Sequence, residues 1–177
     1  CPTAFYTALL NNHQGMYPLR IYVWDARRRG ILVRPPHVNR SDVEWTMAPD
    51  GIRAGLGLVK NLTRTAMRQI LSQRRRAPFR SLNDLRTRVR LSTPELVNLI
   101  CCGACDGLAP SRPAMLLQAR YAPVPRGQRM LFELLPNPPV HALPDYTAVE
   151  RLHAEIEILR IPFTLHPETL IRRPHVL

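Results

Sequence analysis

The sequence predicts a mainly α-helical chain with a small β-element: two helix–short turn–helix units in tandem, then a proline-rich linker and a terminal helix. Three observations carry that expectation. Apolar residues recur at helical spacing through most of the chain, and strand-like runs are confined to residues 31–57. The 18 prolines fall largely in clusters, which divide helices with stiff connectors. Aromatic residues make up only 6% of the chain, so the core must rely on Leu, Ile, Val and Ala.

Residues 3–12 read as a helix with Phe5, Ala8, Leu9 and Asn12 on one face. A turn through Gly15 and Pro18 leads to a second helix over 19–29. Its end carries Arg27, Arg28 and Arg29, where the helix dipole favours cations, and Gly30 closes it. Residues 31–34 read as a strand that Pro35 and Pro36 stop. Residues 43–47 and 51–57 read as two further short strands around the turn Ala48-Pro49-Asp50-Gly51. A helix over 64–75 follows, with Ala66, Met67, Ile70 and Leu71 on its buried side, and Ala77-Pro78 breaks it. Ser81 caps a helix through Val89, with Asp84 at the third position. Thr93 caps the next, with Pro94 in its first turn, running to Cys102 before Gly103. Residues 113–121 form another helix, 122–146 a linker with six prolines, and 147–160 the last helix. Pro162, Pro167 and Pro174 keep the tail irregular.

Lys and Arg number 25 against 13 Asp and Glu, a net charge of +12. A pI near 10.9 suggests a polyanionic partner, nucleic acid before an acidic membrane surface. Lys60 is the one lysine. Arginine forks suit phosphate oxygens, and codon bias on solvated surfaces is the competing reading. The opening Cys1-Pro-Thr-Ala-Phe-Tyr6 reads as the interior of a longer protein. No signal peptide and no membrane-length apolar run is visible, so a cytoplasmic location with free thiols is expected. Cys102 and Cys105 form a C-x-x-C without a second pair at zinc spacing, and read as small apolar residues at a helix end.

Catalysis is not expected within the chain. Asp25, Asp42, Asp50, Asp84, Asp106 and Asp145 are scattered, with no Asp-x-Asp pair for two-metal chemistry. Glu155 and Glu157 fall on different faces of a helix, and the six histidines are isolated. There is no phosphate loop of the Walker type and no Ser-His-Asp order.

The candidate binding elements are the two turns, Lys60-Asn61-Leu62-Thr63 and Arg90-Leu91-Ser92-Thr93. A hairpin leading into a helix N-terminus presents backbone N–H donors to an anion such as phosphate. Lys60 and Arg64 flank the first turn, and Arg68 lies one helical turn further on the same face. Arg88 and Arg90 flank the second. Two such hairpins could hold the two strands of a duplex across the minor groove, without reading bases. Plain helical packing with surface arginines is the alternative.

Gly51-Ile-Arg-Ala-Gly-Leu-Gly-Leu-Val-Lys60-Asn-Leu-Thr63, with Ala66 and Ile70, resembles the helix-hairpin-helix segment of bacterial C-family DNA polymerases, the DNA polymerase III alpha subunits. Pro78-Phe-Arg-Ser-Leu-Asn-Asp-Leu-Arg86-Thr-Arg-Val89 is similar to the segment that follows it there. Leu99-Ile-Cys-Cys-Gly-Ala-Cys-Asp106 stands where the family reads Ala-Gly-Ala-Phe-Asp. Upstream, Phe5 to Asn12 and Asp25 to Gly30 resemble the end of the family's fingers, and Pro36-His-Val-Asn-Arg-Ser41 its proline–aspartate–valine–asparagine stretch. Glu155 to Leu159 through His166-Pro167 resembles the segment before its oligonucleotide-binding barrel. The matches keep the family's order over about residues 3–168 and sit nearest the error-prone branch.

The resemblance implies four segments: 1–57 from the end of the fingers, 58–121 a tandem helix-hairpin-helix module, 122–146 a linker, and 147–177 a helix and tail preceding an OB-like domain. It implies non-sequence-specific binding of double-stranded DNA in replication or translesion repair synthesis, alongside the rest of the polymerase. The implied DNA contacts are Lys60, Asn61, Leu62, Thr63, Arg64, Arg68, Arg88, Arg90, Leu91, Ser92 and Thr93. Nucleotidyl transfer and its Mg2+ belong to palm aspartates expected upstream of these segments. Gln128-Arg129-Met130-Leu131-Phe132 stands where the family carries its sliding-clamp peptide. Leu131 and Phe132 would fill an apolar pocket, with Met130 beside them and Gln128 bonding at the rim. Asn61 and Thr63 replace hairpin glycines of the family, Arg160 replaces a glycine after Leu159, and Phe163-Thr-Leu-His166 departs from a leucine–serine–glycine–histidine run. Because β-branched Thr63 takes positive φ poorly, the first hairpin is expected to bind weakly. A freestanding DNA- and clamp-binding module and an inactive relic remain alternatives to a polymerase fragment.

Overall fold

The computed structural model describes residues 1–12, 16–120 and 143–165. The expected clamp residues Gln128, Met130, Leu131 and Phe132 lie outside the described residues, as do Gly15 and the tail beyond Leu165.

Helix α1, Pro2–Asn12, and helix α2, Leu19–Arg28, pack on each other and α1 reaches a small sheet. The face α1 buries is Tyr6 and Leu10, and Phe5 stays 62% exposed. Two polar contacts set that rotation. The Tyr6 hydroxyl donates to the Asp25 carboxylate of α2, and the Asn11 amide clasps both backbone groups of Trp45, at 3.0 and 2.9 Å.

Strands β1 (Leu32–Arg34), β2 (Thr46–Ala48) and β3 (Gly51–Arg53) form a sheet in the order β1-β3-β2, with β1 parallel and β2 antiparallel to β3. The strand expected over 51–57 ends at Arg53, and Leu56–Leu58 form a 3-10 turn. Here the amides of Leu56 and Gly57 leave the ladder and bond the carbonyls of Asp42 and Val43. Gly55 permits the crossing, since a Cβ there would stand 2.2 Å from the Val43 carbonyl oxygen.

The Pro36–Ser41 stretch is a structural hub. Asn39 clasps both backbone groups of Phe79 at 2.8 Å, Val38 N–H reaches the Ala104 carbonyl, and the His37 ring contacts the Asp106 carbonyl at 3.2 Å. Burial, with the Arg40 charge behind it, holds the His37 pKa below its ordinary value.

Helices α3 (Arg64–Arg76), α4 (Leu82–Arg88), α5 (Thr93–Cys101) and α6 (Arg112–Arg120) follow. Ala66, Met67 and Ile70 are buried on α3 as expected, while Leu71 is only partly covered. Ser81 accepts the Asp84 N–H at the start of α4. The Asp84 carboxylate bonds the Arg80 N–H rather than closing a box on Ser81. The cap of α5 is Ser92, one residue before the Thr93 expected from sequence. Arg112 opens α6 and is 4% exposed, pairing with both Asp106 oxygens at 3.0 and 2.8 Å and with the Cys101 carbonyl at 2.9 Å. Gly103, at φ +83°, leaves room for that guanidinium, because a Cβ would stand 2.2 Å from Arg112 Nη2.

Helix α7, Ala148–Leu159, begins in a closed capping box between Thr147 and Glu150. The segment after it folds back on the start of the chain. Buried Glu155 accepts the amides of Phe163 and Thr164, and Arg27 donates to the Val33 and Phe163 carbonyls. One hydrophobic cluster therefore runs from Tyr6 to Phe163, through three of the four segments read from sequence. The four cysteines are free; Cys102 and Cys105 lie in that cluster as small core side chains. No described helix is long and apolar enough to cross a membrane.

Candidate nucleic-acid interface

Asn61 has φ +62° and is the residue that reverses the chain in the first hairpin. Asparagine visits this left-handed region more readily than other non-glycine residues. Thr63 is not asked to: it sits at φ −72°, ψ 151°, as the N-cap of α3, and its hydroxyl accepts the Ala66 N–H. The β-branched residue that sequence reading treated as a fault is thus a good cap. Leu62 is buried and anchors the turn from beneath, while Lys60, Asn61, Thr63, Arg64 and Arg68 are exposed. The Lys60 backbone is held at both ends, its N–H by the Ile158 carbonyl at 3.2 Å and its carbonyl by the Asn98 side chain at 2.7 Å.

The second hairpin, Val89 to Ser92, joins α4 to α5. Arg90, Ser92 and Thr93 are exposed and Leu91 is partly buried. The Arg90 N–H donates to Gln69 of α3 at 2.9 Å, a first tie between the hairpins.

The stronger tie is Glu95, which is 5% exposed and which sequence reading passed over. Its Oε1 accepts the Thr63 N–H at 3.0 Å and the Thr63 hydroxyl at 2.8 Å. Its Oε2 accepts the Ser92 N–H at 2.8 Å and the Ser92 hydroxyl at 2.7 Å. One carboxylate thus spans the N-caps of α3 and α5. Burial pushes its pKa up, but the Ser92 and Thr63 hydrogen bonds outweigh that and bring it to about 2. Glu at the third position of α5 was a signal for Ser92 as the cap; the reach to Thr63 had none in the sequence.

The amides of Arg64, Thr65 and Thr93 have no acceptor among the described residues, as first-turn donors lack an intrahelical partner. Pro94 has no N–H to offer. The first hairpin therefore keeps more outward donors than the second. On α3, Arg64, Arg68 and Arg75 fall within about 40° of one another around the axis, a row of exposed guanidiniums running away from the hairpin.

Arg88 is used differently from the sequence expectation. It lies over the Phe79 ring at 4.5 Å from the centroid, pairs with Asp84 at 3.1 Å, and donates to the carbonyls of Gln73 and Ala77. It ties α4 to the end of α3 instead of facing outward.

A helix-hairpin-helix motif family model matches residues 30–115, which contain both hairpins. Error-prone DNA polymerases are similar along almost the whole chain. That of Methylococcus capsulatus is 34% identical over 97% of this chain and 19% of its own length. Those of Anaeromyxobacter dehalogenans (strain 2CP-C) and Teredinibacter turnerae are each 31% identical, over 97% and 98% of this chain. The chain is a helix-hairpin-helix region of the C-family DNA polymerase type. It spans between 16% and 19% of the length of these relatives.

Asp25, Asp50, Asp84, Asp106 and Asp145 each pair with an arginine, and no group of three metal-ligating side chains occurs among the described residues.

Proposed function

We propose that this polymerase region grips duplex DNA through its phosphates, without base preference, in replicative or repair synthesis. The observation that carries the reading is the Glu95 joint. It sets two helix N-termini side by side, with the Arg64, Thr65 and Thr93 amides unused and Lys60, Arg64, Arg68 and Arg90 exposed around them. Paired donors of this kind suit phosphates on two strands and carry no sequence information. Leu62 and Leu91 serve as footings, and Asn61 and Ser92 shape the turns. Gln128, Met130, Leu131 and Phe132 serve in this proposal as a sliding-clamp peptide, supported by their pattern and their place in a proline-rich segment.

The test is fluorescence anisotropy with duplexes of unrelated sequence across a salt series. With about six phosphates contacted, affinity falls roughly as the fifth power of salt. The variant Lys60→Glu/Arg64→Glu/Arg68→Glu weakens all duplexes alike and lowers the salt slope by about three. Unchanged affinity would remove these residues from the interface. Leu131→Ala/Phe132→Ala abolishes clamp capture and leaves DNA affinity intact; loss of both, or of neither, refutes the separate clamp peptide.

A further inference from the structure

A second cationic feature lies away from the hairpins, at the small sheet. A cavity of about 510 Å³ is lined by Arg34, Arg40 and Arg53, one carboxylate, Asp50, and the apolar side chains of Met47 and Pro49 among others. None of the hairpin cations Lys60, Arg64 or Arg68 lines it.

The placement of charge is unfavourable as it stands. Arg34 of β1 and Arg53 of β3 are register partners, so two arginines stand opposite each other on neighbouring strands. Like charges directly opposite destabilise a sheet. Asp50 pairs directly with Arg34, in a two-point pair through Nε and Nη2, and acts on Arg53 by charge alone. Arg53 is partly buried and gives one N–H to the Pro35 carbonyl at 3.2 Å. Its pKa is lowered first by burial and then by the charges of Arg40 and Arg34. Arg40 is exposed, and its side chain has no acceptor among the described residues. Three guanidiniums against one carboxylate give the cavity wall a net positive charge.

An anion with several oxygens in one plane or cone removes that repulsion, because planar guanidinium forks pair with such oxygens two at a time. The cavity exceeds the needs of a bare phosphate group and falls within the range of pockets that hold a small organic ligand. Met47, 60% exposed, and Pro49 offer an apolar wall for the remainder of such a ligand.

We propose that the Arg34–Arg40–Arg53 cavity is a second phosphate-ester site, taking one nucleotide unit with its phosphate on Arg40 and Arg53 and its base or sugar against Met47 and Pro49. The unit is either part of a single strand or a free nucleotide. The site does not depend on the hairpin reading, and each fails or stands alone.

The test follows the arginine side-chain N–H resonances of the 177-residue chain. The probes are a short oligothymidylate and a deoxynucleoside triphosphate. The Arg40 and Arg53 signals shift saturably with at least one probe; tighter response to the oligonucleotide assigns the site to a strand, tighter response to the triphosphate to a free nucleotide. Arg40→Glu, at an exposed position without side-chain bonds among the described residues, keeps the fold by circular dichroism and weakens the response about tenfold or more. The hairpin variant Lys60→Glu/Arg64→Glu/Arg68→Glu leaves it in place. Signals unmoved by both probes, an unchanged midpoint in Arg40→Glu, or loss of the response in the hairpin variant each overturns the proposal.

Discussion

Replacing Glu95 by Gln tests the joint that holds the two hairpins together. The carboxylate receives four donors, two from Thr63 and two from Ser92. A side-chain amide has one oxygen, so its NH2 group must face the donors of one cap. Leaving such donors unmatched costs about 1–3 kcal/mol. The pKa leads to a similar figure. A drop from the usual glutamate value of 4.5 to about 2 corresponds to about 3.4 kcal/mol of stabilisation of the folded state. Thr63 and Ser92 lie at the surface, where solvent screens the charge, and about 2 kcal/mol is the working expectation. Because the folded-state pKa lies below the unfolded one, this contribution is complete above about pH 4.5 and is lost as the pH falls toward 2. Urea denaturation of the wild type and Glu95→Gln, repeated from pH 7 downward, should show a gap of about 2 kcal/mol that shrinks only below pH 4.5. Duplex affinity should also fall, although removing a negative charge beside a phosphate site would by itself raise it. Equal midpoints at pH 7, or a gap insensitive to acid, would refute the joint.

Three further outcomes follow from single environments. Arg160 ends α7 at φ +61°, where the resemblance leads one to expect glycine, so Arg160→Gly should stabilise the chain by about 1 kcal/mol and raise the Tm by roughly 2–4 °C in a thermal melt. Arg112→Lys keeps the charge but loses the fork that holds both Asp106 oxygens and the Cys101 carbonyl, and should cost about 2–3 kcal/mol in guanidinium unfolding. Burial pushes the Cys102 thiol up to about 12 and that of Cys105 well above its usual value, so a thiol reagent should label exposed Cys1 promptly, Cys101 slowly, and the other two only in denaturant.

The helices were legible because their signals are local. Apolar spacing found α3 and Ser81 announced α4. What escaped rests on contacts distant in sequence. Strands of three residues are too short for alternation to mark their ends, so β2 and β3 were placed too generously. Glu95 reads locally as a third-position helix residue; its reach to Thr63, 32 residues away, depends on where the fold sets the N-termini of α3 and α5. The hairpin turned on backbone angles: the sequence shows that glycine is missing at 61 and 63, but only the geometry shows that one positive φ is needed and that Asn61 takes it. Arg88 looked like a surface cation because nothing nearby in sequence reveals the Phe79 ring and the carbonyls at the end of α3.

Arg88 also bears on what the net charge of +12 means. Many arginines here are spent on main-chain carbonyls inside the fold. Arg27 reaches Val33 and Phe163, Arg74 reaches Val38 and Ser41, Arg86 reaches Gln118, and Arg151 reaches Tyr146. A planar fork can satisfy two carbonyls at the ends of irregular segments, which an ammonium on a flexible stem does poorly. That gives the arginine bias a structural cause in a chain whose loops and turns leave many carbonyls without ladder partners. The single lysine stands at the exposed turn of the first hairpin, a place where a point charge suffices. Total charge therefore overstates the interface, and the exposed cations outside such contacts include Lys60 at the first hairpin, Arg64, Arg68 and Arg75 along α3, Arg90 at the second hairpin, and Arg40 at the sheet. Lysine in place of arginine should then separate the two uses, lowering stability at Arg27 or Arg88 while leaving phosphate attraction largely intact at Arg64 or Arg68.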